Sequence, residues 1–373
     1  MAQNILYILG AFVVSAACGF FFIPIILDFC KRRGLYDLPD SRKIHKNAIP
    51  RLGGISFLPS MFIAFLVTTL AINHFTGYSQ VTFSLWSLYF FISLLLIYSV
   101  GLIDDLMGLG AKTKFTVQIV AAVLLPLSGL YINNLYGFLG INEISYAVGA
   151  PLTVFIIVFV NNAINLIDGI DGLSASLSLV ALTGFLVCFL SEGVLYYGIL
   201  IAGLMGVLVP FLYFNLFGKP EQNRKRFMGD SGSLTLGFIL GFLAVKLAMD
   251  NPNVMTTNPD SLILAYTLLV VPVLDVVRVS LVRIRHRTPI FRADKNHIHH
   301  KLMRCGLSQH QTLGAILLLA LLFIGLNLVL NSLLSSTAVV VADICLWILV
   351  HELINHSIRQ RGNQVFLAPE PEK

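Results

Sequence analysis

Residues 146–190 read YAVGAPLTVFIIVFVNNAINLIDGIDGLSASLSLVALTGFLVCFL, and this stretch decides the fold. It holds two apolar segments, near 146–166 and 172–190, joined by a short link that carries Asp168 and Asp171. A helix needs about 20 mainly apolar residues to cross the hydrocarbon core of a membrane. The first segment ends in asparagines, so its crossing is the least secure in the chain. If it did not cross, every later loop would change sides.

The rest of the chain has the composition of a polytopic membrane protein. Of its 373 residues, 57% are hydrophobic and 12% are charged, and the mean hydropathy is +0.83, far from a soluble domain. We predict an all-α integral membrane protein with one transmembrane domain over residues 1–373 and a short cytoplasmic tail at 356–373. About eleven spans are expected, near 5–27, 53–73, 83–103, 115–133, 146–166, 172–190, 194–214, 232–249, 261–282, 311–331 and 337–355.

The loop charges predict the orientation of these spans. Of the 25 Lys and Arg residues, 23 lie in segments that eleven spans place on one side of the membrane: 31–51, 112–114, 219–226, 283–304 and the tail from 359. The positive-inside rule makes that side cytoplasmic, with the N-terminus outside and the C-terminus inside. The net charge of +6 is then explained by topology and by attraction to membrane lipids, and nucleic acid is not expected as a partner.

Five polar clusters interrupt the apolar sequence, and the eleven-span arrangement places all five on the cytoplasmic face. They lie at 37–54, 104–118, 161–173, 227–237 and 291–307. An Asp at the centre of a span costs about 2.5–3.5 kcal/mol on an insertion scale, so acidic residues in a membrane protein need a reason. We expect one active site assembled from these scattered clusters.

The acidic motifs are typical of a site for a metal and a phosphate. Asp104 and Asp105 are adjacent, so on a helix one can face a cation and the other a lysine or substrate. In Asn165-Leu-Ile-Asp168-Gly-Ile-Asp171 the spacing keeps three polar side chains near one helix face. For each aspartate taken singly, an ordinary residue at the membrane interface is the alternative interpretation, and the grouping of the motifs weakens it.

The motif Phe227-Met-Gly-Asp230-Ser-Gly-Ser233 begins the eighth span with a carboxylate and two hydroxyls. Backbone N–H groups at a helix N-terminus favour phosphate, and an N-capping residue is the alternative interpretation. Carboxylates repel phosphate unless a divalent cation lies between them. Mg²⁺ suits one or two carboxylates together with phosphate oxygens, so Mg²⁺ is the expected cofactor, with Mn²⁺ as an alternative.

A histidine cluster, His297-Ile-His299-His300, follows Arg292 and Lys295. Such residues are suited to donate hydrogen bonds to an anionic substrate. A solvated polar loop and a structural zinc site are the alternatives. The remaining basic residues of the cytoplasmic loops, Arg283 among them, are expected mainly to set the topology and to contact lipid headgroups.

In order along the chain, six motifs resemble those of the polyprenyl-phosphate N-acetylhexosamine-1-phosphate transferases. The motifs are Asp37-x-Pro39 with Arg42-Lys43-x-His45, Pro50-x-x-Gly53-Gly54, Asp104-Asp105 with Lys114 and Gln118, Asn165-x-x-Asp168-Gly-x-Asp171-Gly-Leu173, Phe227-Met-Gly-Asp230-x-Gly-Ser233, and His297-Ile-His299-His300. The resemblance implies a bacterial enzyme of the cytoplasmic membrane, with eleven helices and its active site on the cytoplasmic face.

The resemblance also implies a reaction and roles for individual residues. N-acetylglucosamine 1-phosphate would pass from UDP-GlcNAc to undecaprenyl phosphate, releasing UMP and beginning an O-antigen or enterobacterial common antigen chain. The implied metal ligands are Asp230 and Asp104. The implied catalytic residues are Asp104, Asp105, Lys114 and Asp168. The implied substrate-binding residues are Asn165, Asp171 and Phe227, the last two at uracil, together with His297, His299, His300, Arg292 and Lys46.

Several alternatives stay open at this point. The donor could be another UDP-HexNAc, such as UDP-GalNAc or UDP-MurNAc-pentapeptide, and the histidine motif matches GlcNAc-type members. Attack could be direct or proceed through an aspartyl-phosphate on Asp104 or Asp105. A homodimer is common among related proteins. In a different class, a cation-coupled transporter could use the same carboxylates, and Lys246 and Asp343 are the other clear charges embedded in spans.

Overall fold

A computed structural model describes residues 2–37, 49–50, 52–76, 85–218, 227–289 and 294–368. Within them the chain is a helical bundle with two short antiparallel hairpins, so the predicted all-α class is confirmed. The helices are α1 (Ala2–Arg33), α2 (Phe57–Thr76), α3 (Leu85–Met107), α4 (Ala111–Leu127), α5 (Tyr146–Ile167), α6 (Leu173–Ser191), α7 (Leu195–Phe217), α8 (Gly229–Ala248), α9 (Ser261–Leu268), α10 (Val270–Arg285), α11 (Ile298–Arg304), α12 (Gln309–Leu330) and α13 (Ser336–Gln360). The hairpins pair β1 (Tyr36–Asp37) with β2 (Ile49–Pro50) and β3 (Asn134–Phe138) with β4 (Ile141–Glu143).

Ten membrane spans are found among the described residues by length and apolarity, if α9 and α10 count as one. These two helices are bent by 72°, so the predicted ninth span is broken at Leu269. Eleven spans were predicted, and the one that is not found in the described part of the chain is the fourth. Its helix, α4, has 17 residues and ends before a turn at Ser128 and Gly129. At 1.5 Å per residue it is about 25 Å long, short of the roughly 30 Å hydrocarbon core.

The predicted crossing at 146–166, the least secure of those predicted, has the length and apolarity of a membrane span. Its helix, α5, ends at Ile167, and α6 begins after Gly172, whose φ of +74° suits glycine. The Asn215 side chain of α7 accepts the Gly172 N–H at 2.6 Å. The link between α5 and α6 is therefore a tight turn that is fixed to a third helix and carries its aspartates at one end of the bundle.

Helix α8 is the centre of the bundle, and every residue from Ser231 to Ala248 is buried. A Gly237-x-x-x-Gly241 motif faces α5. A Cβ at Gly237 would lie 2.7 Å from the Asn161 Cα, and one at Gly241 would lie 3.2 Å from the Ile157 Cα. Small residues let two helix backbones approach closely inside a membrane. By contrast, outer helices such as α1 and α12 expose many apolar side chains to lipid.

A 3₁₀ helix, Leu52–Ser56, carries the Gly53-Gly54 pair of the first polar cluster and packs it against the start of α8. The Gly53 N–H donates to the Phe227 carbonyl at 3.1 Å, and the Gly54 N–H donates to the Met228 carbonyl at 2.8 Å. A Cβ at Gly54 would lie only 2.2 Å from the Gly232 Cα. The glycine pair is therefore required for this backbone contact.

Candidate active site

Four helix ends meet at one end of the bundle and bring acidic and basic side chains together. Lys114, near the start of α4, donates to Asp104 Oδ2 at 3.2 Å and to Asp230 Oδ2 at 2.5 Å. Asn165, near the end of α5, donates to the other Asp230 oxygen at 3.1 Å and to the Ser233 hydroxyl at 2.8 Å. Asp104 lies in the last turn of α3 and Asp230 in the first turn of α8, so residues from three separate sequence motifs form one cluster.

The carboxylate of Asp105 holds the N-terminus of α8. Its Oδ1 accepts the Asp230 N–H at 2.8 Å, and its Oδ2 accepts the Ser231 N–H at 2.9 Å. A helix N-terminus has N–H groups without partners and a partial positive charge, so a carboxylate stabilises it. One turn earlier on α3, a Cβ at Gly101 would lie 2.6 Å from the Ser231 Cα. Asp105 therefore fixes the backbone that carries Asp230.

Three carboxylates form a group suited to a metal ion. Within the described ranges, one set of three candidate ligands has ligand atoms all within 4.8 Å of one another: Asp104, Asp105 and Asp230. Carboxylate oxygens are the ligands that Mg²⁺ and Mn²⁺ prefer. Loss of solvation, and then repulsion from nearby carboxylates, raises the pKa of Asp168 to about 7. The negative charge exceeds what Lys114 supplies, so these residues fit a divalent cation.

The predicted histidine cluster is anchored by Asp275, a fully buried residue of α10. Its Oδ2 lies 2.8 Å from His297 Nδ1, and its Oδ1 accepts the Ile298 N–H at 3.0 Å. Arg278, one turn later on α10, donates to the same Oδ1 at 3.0 Å and to the Asn296 carbonyl at 2.5 Å. Helix α10 therefore fixes the segment that leads into α11.

His299 brings this segment to the acidic link between α5 and α6. A Cβ at Gly169 would lie 2.1 Å from His299 Nε2, so the imidazole packs directly on that backbone. Burial, and then the neighbouring histidines, lower the pKa of His299 well below its ordinary value, and burial lowers the pKa of His300 to about 4. Both rings are therefore neutral near pH 7 and suited to hydrogen bonding rather than to charge pairing.

An apolar groove of about 910 Å³ leads away from the carboxylate cluster along α4 and α5. One end is lined by Lys114, Asn165 and Asp230, and the groove continues past Val123 to Leu127 at the far end of α4. Apolar side chains on its walls are exposed toward lipid, Leu127 by 59%. The groove therefore joins a charged end to an apolar trough that opens on the membrane.

The structure gathers most of the predicted site residues at this end of the bundle. Those in the hydrogen-bonded cluster are Asp104, Asp105, Lys114, Asn165 and Asp230. Those beside it, half-buried in the α5–α6 link or just before α8, are Asp168, Asp171 and Phe227. Those in the segment that reaches the link at Gly169 are His297, His299 and His300. Lys46 and Arg292 lie outside the described residues.

Arg283 and Asn162 also line the groove, although neither was predicted as a site residue. Arg283, which we interpreted as a topology charge, is buried, and its Nε donates to Asp294 at 2.7 Å. Asn162 donates to Gln118 Oε1 at 2.5 Å. The signal for each was a polar side chain at the end of an apolar run. For Arg283, a topology charge gives the same signal, so the sequence could not separate the two interpretations. Asn162 lies within the predicted polar cluster at 161–173 but carries no motif of its own.

Lys246 and Asp343, the other two charges predicted from the sequence to lie within spans, are held by local partners. Lys246 is 1% exposed, and its ammonium lies 4.2 Å from the Trp86 ring centroid and 5.9 Å from that of Tyr197, an arrangement that stabilises a cation. Asp343 accepts a hydrogen bond from Asn327 at 2.8 Å. The carboxylate cluster itself lies at helix ends, whereas transporter sites lie near the membrane midplane.

The bundle and its cluster define an integral membrane protein with a charged site that adjoins the lipid. A family model described as Glycosyl transferase family 4 matches residues 85–248. The chain is 30% identical over 355 residues to a Bacillus subtilis (strain 168) protein named "Probable undecaprenyl-phosphate N-acetylglucosaminyl 1-phosphate transferase", with 93% of this chain and 88% of that protein covered.

Two further relatives are undecaprenyl-phosphate alpha-N-acetylglucosaminyl 1-phosphate transferases. The Yersinia pestis protein is 30% identical over 291 residues, covering 78% of this chain and 75% of its own. The Escherichia coli (strain K12) protein is 29% identical over 309 residues, covering 81% and 79%. The chain therefore belongs to glycosyl transferase family 4. The resemblance of its motifs to polyprenyl-phosphate N-acetylhexosamine-1-phosphate transferases is confirmed, and it is a multi-pass membrane transferase.

Proposed function

We propose that the protein transfers N-acetylglucosamine 1-phosphate from UDP-GlcNAc to undecaprenyl phosphate, giving undecaprenyl-diphosphate-GlcNAc and UMP. The relatives are named for this acceptor and this sugar. The observation that carries the proposal is the groove, which is apolar along α4 and α5 and ends at Lys114 and Asp230. A lipid with one phosphate headgroup matches that shape, because its tail fits the trough and its charge reaches the cluster.

The donor diphosphate is assigned to the carboxylate cluster. Mg²⁺, or Mn²⁺ in its place, would be held there by Asp230 and Asp104 and would supply charge neutralisation for the diphosphate and the departing UMP. Asp105, whose two oxygens accept backbone N–H groups of α8, keeps the Asp230 backbone in place. Lys114 bridges Asp104 and Asp230 and brings a positive charge to the same end of the groove.

The reaction needs no strong base in the protein. A phosphate monoester has a second pKa of about 6, so the acceptor is largely a dianion at neutral pH. Its oxygen attacks the β-phosphorus of the donor, and the bond from that phosphorus to the UMP oxygen breaks. The sugar C1–O bond stays intact, so the configuration at C1 persists. Lys114 orients the acceptor phosphate and offsets its charge, which are the main catalytic contributions available here.

Direct attack is favoured over an aspartyl-phosphate because both candidate nucleophiles are already engaged. Asp105 accepts two backbone N–H groups, and Asp104 accepts the Leu109 N–H at 2.7 Å as well as the Lys114 ammonium. Hydrogen bonds to a carboxylate lower its nucleophilicity. A stable phosphoryl-enzyme on either residue would support the two-step route.

The remaining roles follow from the family resemblance. Uracil is assigned to Asp171 and Phe227, with Asn165 and Asp168 supporting the donor. The sugar and its phosphate are assigned to His297, His299 and His300, together with Lys46 and Arg292. We assign the cluster to the cytoplasmic face of the bacterial inner membrane, and the basic loop residues support this orientation through the positive-inside rule. The product would begin an O-antigen or enterobacterial common antigen chain, and a homodimer is the proposed assembly.

The test of this function is UMP release by purified protein in detergent with undecaprenyl phosphate and Mg²⁺. Donors would be UDP-GlcNAc, UDP-GalNAc and UDP-MurNAc-pentapeptide. We expect release with UDP-GlcNAc, dependent on both lipid and metal. Release with only another donor would overturn the assigned sugar. If folded protein released no UMP with any of the three donors, the proposed reaction would be overturned.

Filling the groove is expected to weaken the binding of the lipid acceptor selectively. In Val123→Trp a large ring would occupy the groove wall, so the KM for undecaprenyl phosphate should rise roughly tenfold, equivalent to about 1.4 kcal/mol, with kcat at saturation nearly unchanged. Val120→Trp is the control, because Val120 lies one turn earlier on α4, is 50% exposed and lies off the groove. Equal kinetics for the two variants would place the acceptor elsewhere.

A further inference from the structure

The last described segment, residues 361–368, follows α13 and packs against the segment that carries the histidines. We refer to it as the C-terminal strap. The side-chain amide of Asn296 donates to the Leu367 carbonyl at 2.8 Å, and its oxygen accepts the Leu367 N–H at 3.0 Å. The Phe366 ring stacks on His286, with centroids 3.8 Å apart and planes 6° from parallel. The strap is thus joined to the residue directly before His297.

The strap also holds the other end of α11. Arg304, the last residue of that helix, donates to the Gln364 carbonyl at 3.1 Å, and its own carbonyl accepts from the Asn363 side chain at 3.1 Å. A second Arg304 nitrogen donates to the Lys295 carbonyl at 3.1 Å. The two ends of segment 295–304 are therefore bonded to each other through Arg304 and Lys295. The Arg304 end is also bonded to the strap.

This segment depends on such outside contacts for its position. Residues 294–297 belong to no helix or strand, and α11 has seven residues. Isolated helices shorter than about 12–15 residues are marginal in water, so tertiary contacts must fix α11. Helix α10 supplies one set through Asp275 and Arg278. Helix α13 supplies a second, since Asn355 accepts a hydrogen bond from Lys301, and the strap supplies a third. Loss of the strap would leave the outward side of the segment without these bonds.

The segment reaches the acidic link at a point with no spare room. His299 packs directly on Gly169, between the two aspartates of that link. A shift of the segment by even a few tenths of an ångström must therefore move His299 relative to Asp168 and Asp171. The contacts form a continuous path from the chain's C-terminal segment to the side chains assigned to the donor.

We propose that the C-terminal strap is a positioning element for the transfer reaction: it sets His297–His300 against the acidic link for donor binding. Its residues touch neither substrate nor metal in this role. The inference rests on the proposed function in assigning the donor to these side chains. The bonds between the strap and Asn296 stand independently of that assignment.

The test compares two truncations of the 373-residue chain. Removal of residues 364–373 deletes most of the strap, whereas removal of residues 369–373 keeps it and is the control. We expect the first to raise the KM for UDP-GlcNAc about tenfold, with kcat within about twofold, and the second to match wild type. Amide hydrogen exchange over residues 294–304 should become at least about tenfold faster in the first truncation only, since local opening governs exchange.

A pair of substitutions isolates the backbone bond. Leu367→Pro removes the N–H that Asn296 accepts, whereas Leu367→Ala keeps it. We expect the donor KM to rise with proline and to stay close to wild type with alanine. Unchanged exchange and unchanged KM in both the truncation and the proline variant would overturn the proposal, as would a loss of thermal stability and kcat with no change in KM. If the wild-type protein released no UMP, the assigned function would be refuted. The hydrogen-exchange measurement would still test whether the strap holds residues 294–304.

Discussion

Asp230→Asn is expected to lower kcat for UMP release by roughly 10²–10³-fold, the scale of losing one electrostatic group at a reacting phosphate. Asp230 accepts from Lys114 on one oxygen and from Asn165 on the other. The amide has the size of the carboxylate but loses the charge, and its NH₂ group would face one of these two donors. Steady-state kinetics across a range of Mg²⁺ concentrations measures the loss and shows whether the variant needs more metal.

Asp343→Asn is the matched control for this substitution. Asp343 is also a fully buried carboxylate in a span, but it bonds to Asn327 on α12 and lies outside the carboxylate cluster. We expect near-wild-type kcat, because an asparagine there can still accept the Asn327 bond. Near-wild-type activity in Asp230→Asn would refute the assignment of Asp230 to the metal and diphosphate.

Gly101→Ala is expected to reduce activity more than tenfold without touching any charged residue. A Cβ there would lie 2.6 Å from the Ser231 Cα and 2.7 Å from the Asp230 carbonyl oxygen. Those are backbone atoms, so the contact is relieved only if α3 and α8 separate, and overpacking of this kind costs about 1–3 kcal/mol. Separation would pull Asp105 away from the start of α8. The measurement is kcat together with thermal unfolding in detergent.

Gly314→Ala provides the comparison for that prediction. Gly314 lies within α12, and a Cβ there would meet nothing within 4 Å. Alanine is favoured over glycine in a helix interior by about 0.5–1 kcal/mol, so we expect unchanged activity and equal or higher thermal stability. If both glycine variants behaved alike, the close approach of α3 to α8 would not be what positions Asp230.

Much of the fold could be predicted because apolar runs of membrane length are visible in the sequence. The break between α9 and α10 was not predicted, because hydropathy does not register a bend. The sequence signal for it is Pro272, which has no N–H to donate to the carbonyl of Leu268, where α9 ends. The fourth span was predicted at 115–133, but α4 begins at Ala111 and ends at Leu127. The apolar run continues past that point, and it is the turn at Gly129, with φ of +89°, that ends the helix.

The gathering of the site could also be predicted, because its motifs all lie at span ends on one side. The different roles of Asp104 and Asp105 could not be predicted from the sequence. Because the two residues are adjacent on a helix, their carboxylates point in different directions. Only the packing of α3 on α8 at Gly101 determines that Asp105 faces the N-terminus of α8. The bond between Asn296 and Leu367 joins residues 71 positions apart, and no local sequence pattern marks such a pair.

Helix α8 has a consequence for how the chain is made. Its mean hydropathy as a span is 1.6, the lowest among the candidate single-helix spans in the described ranges, because glycines and hydroxyls replace larger apolar residues along it. A weakly apolar segment has little tendency of its own to leave the translocon for lipid. Helices α3 and α5, which enclose it, are synthesised earlier and can receive it. The contacts that place the carboxylates therefore also govern whether the nascent protein is inserted correctly into the bilayer.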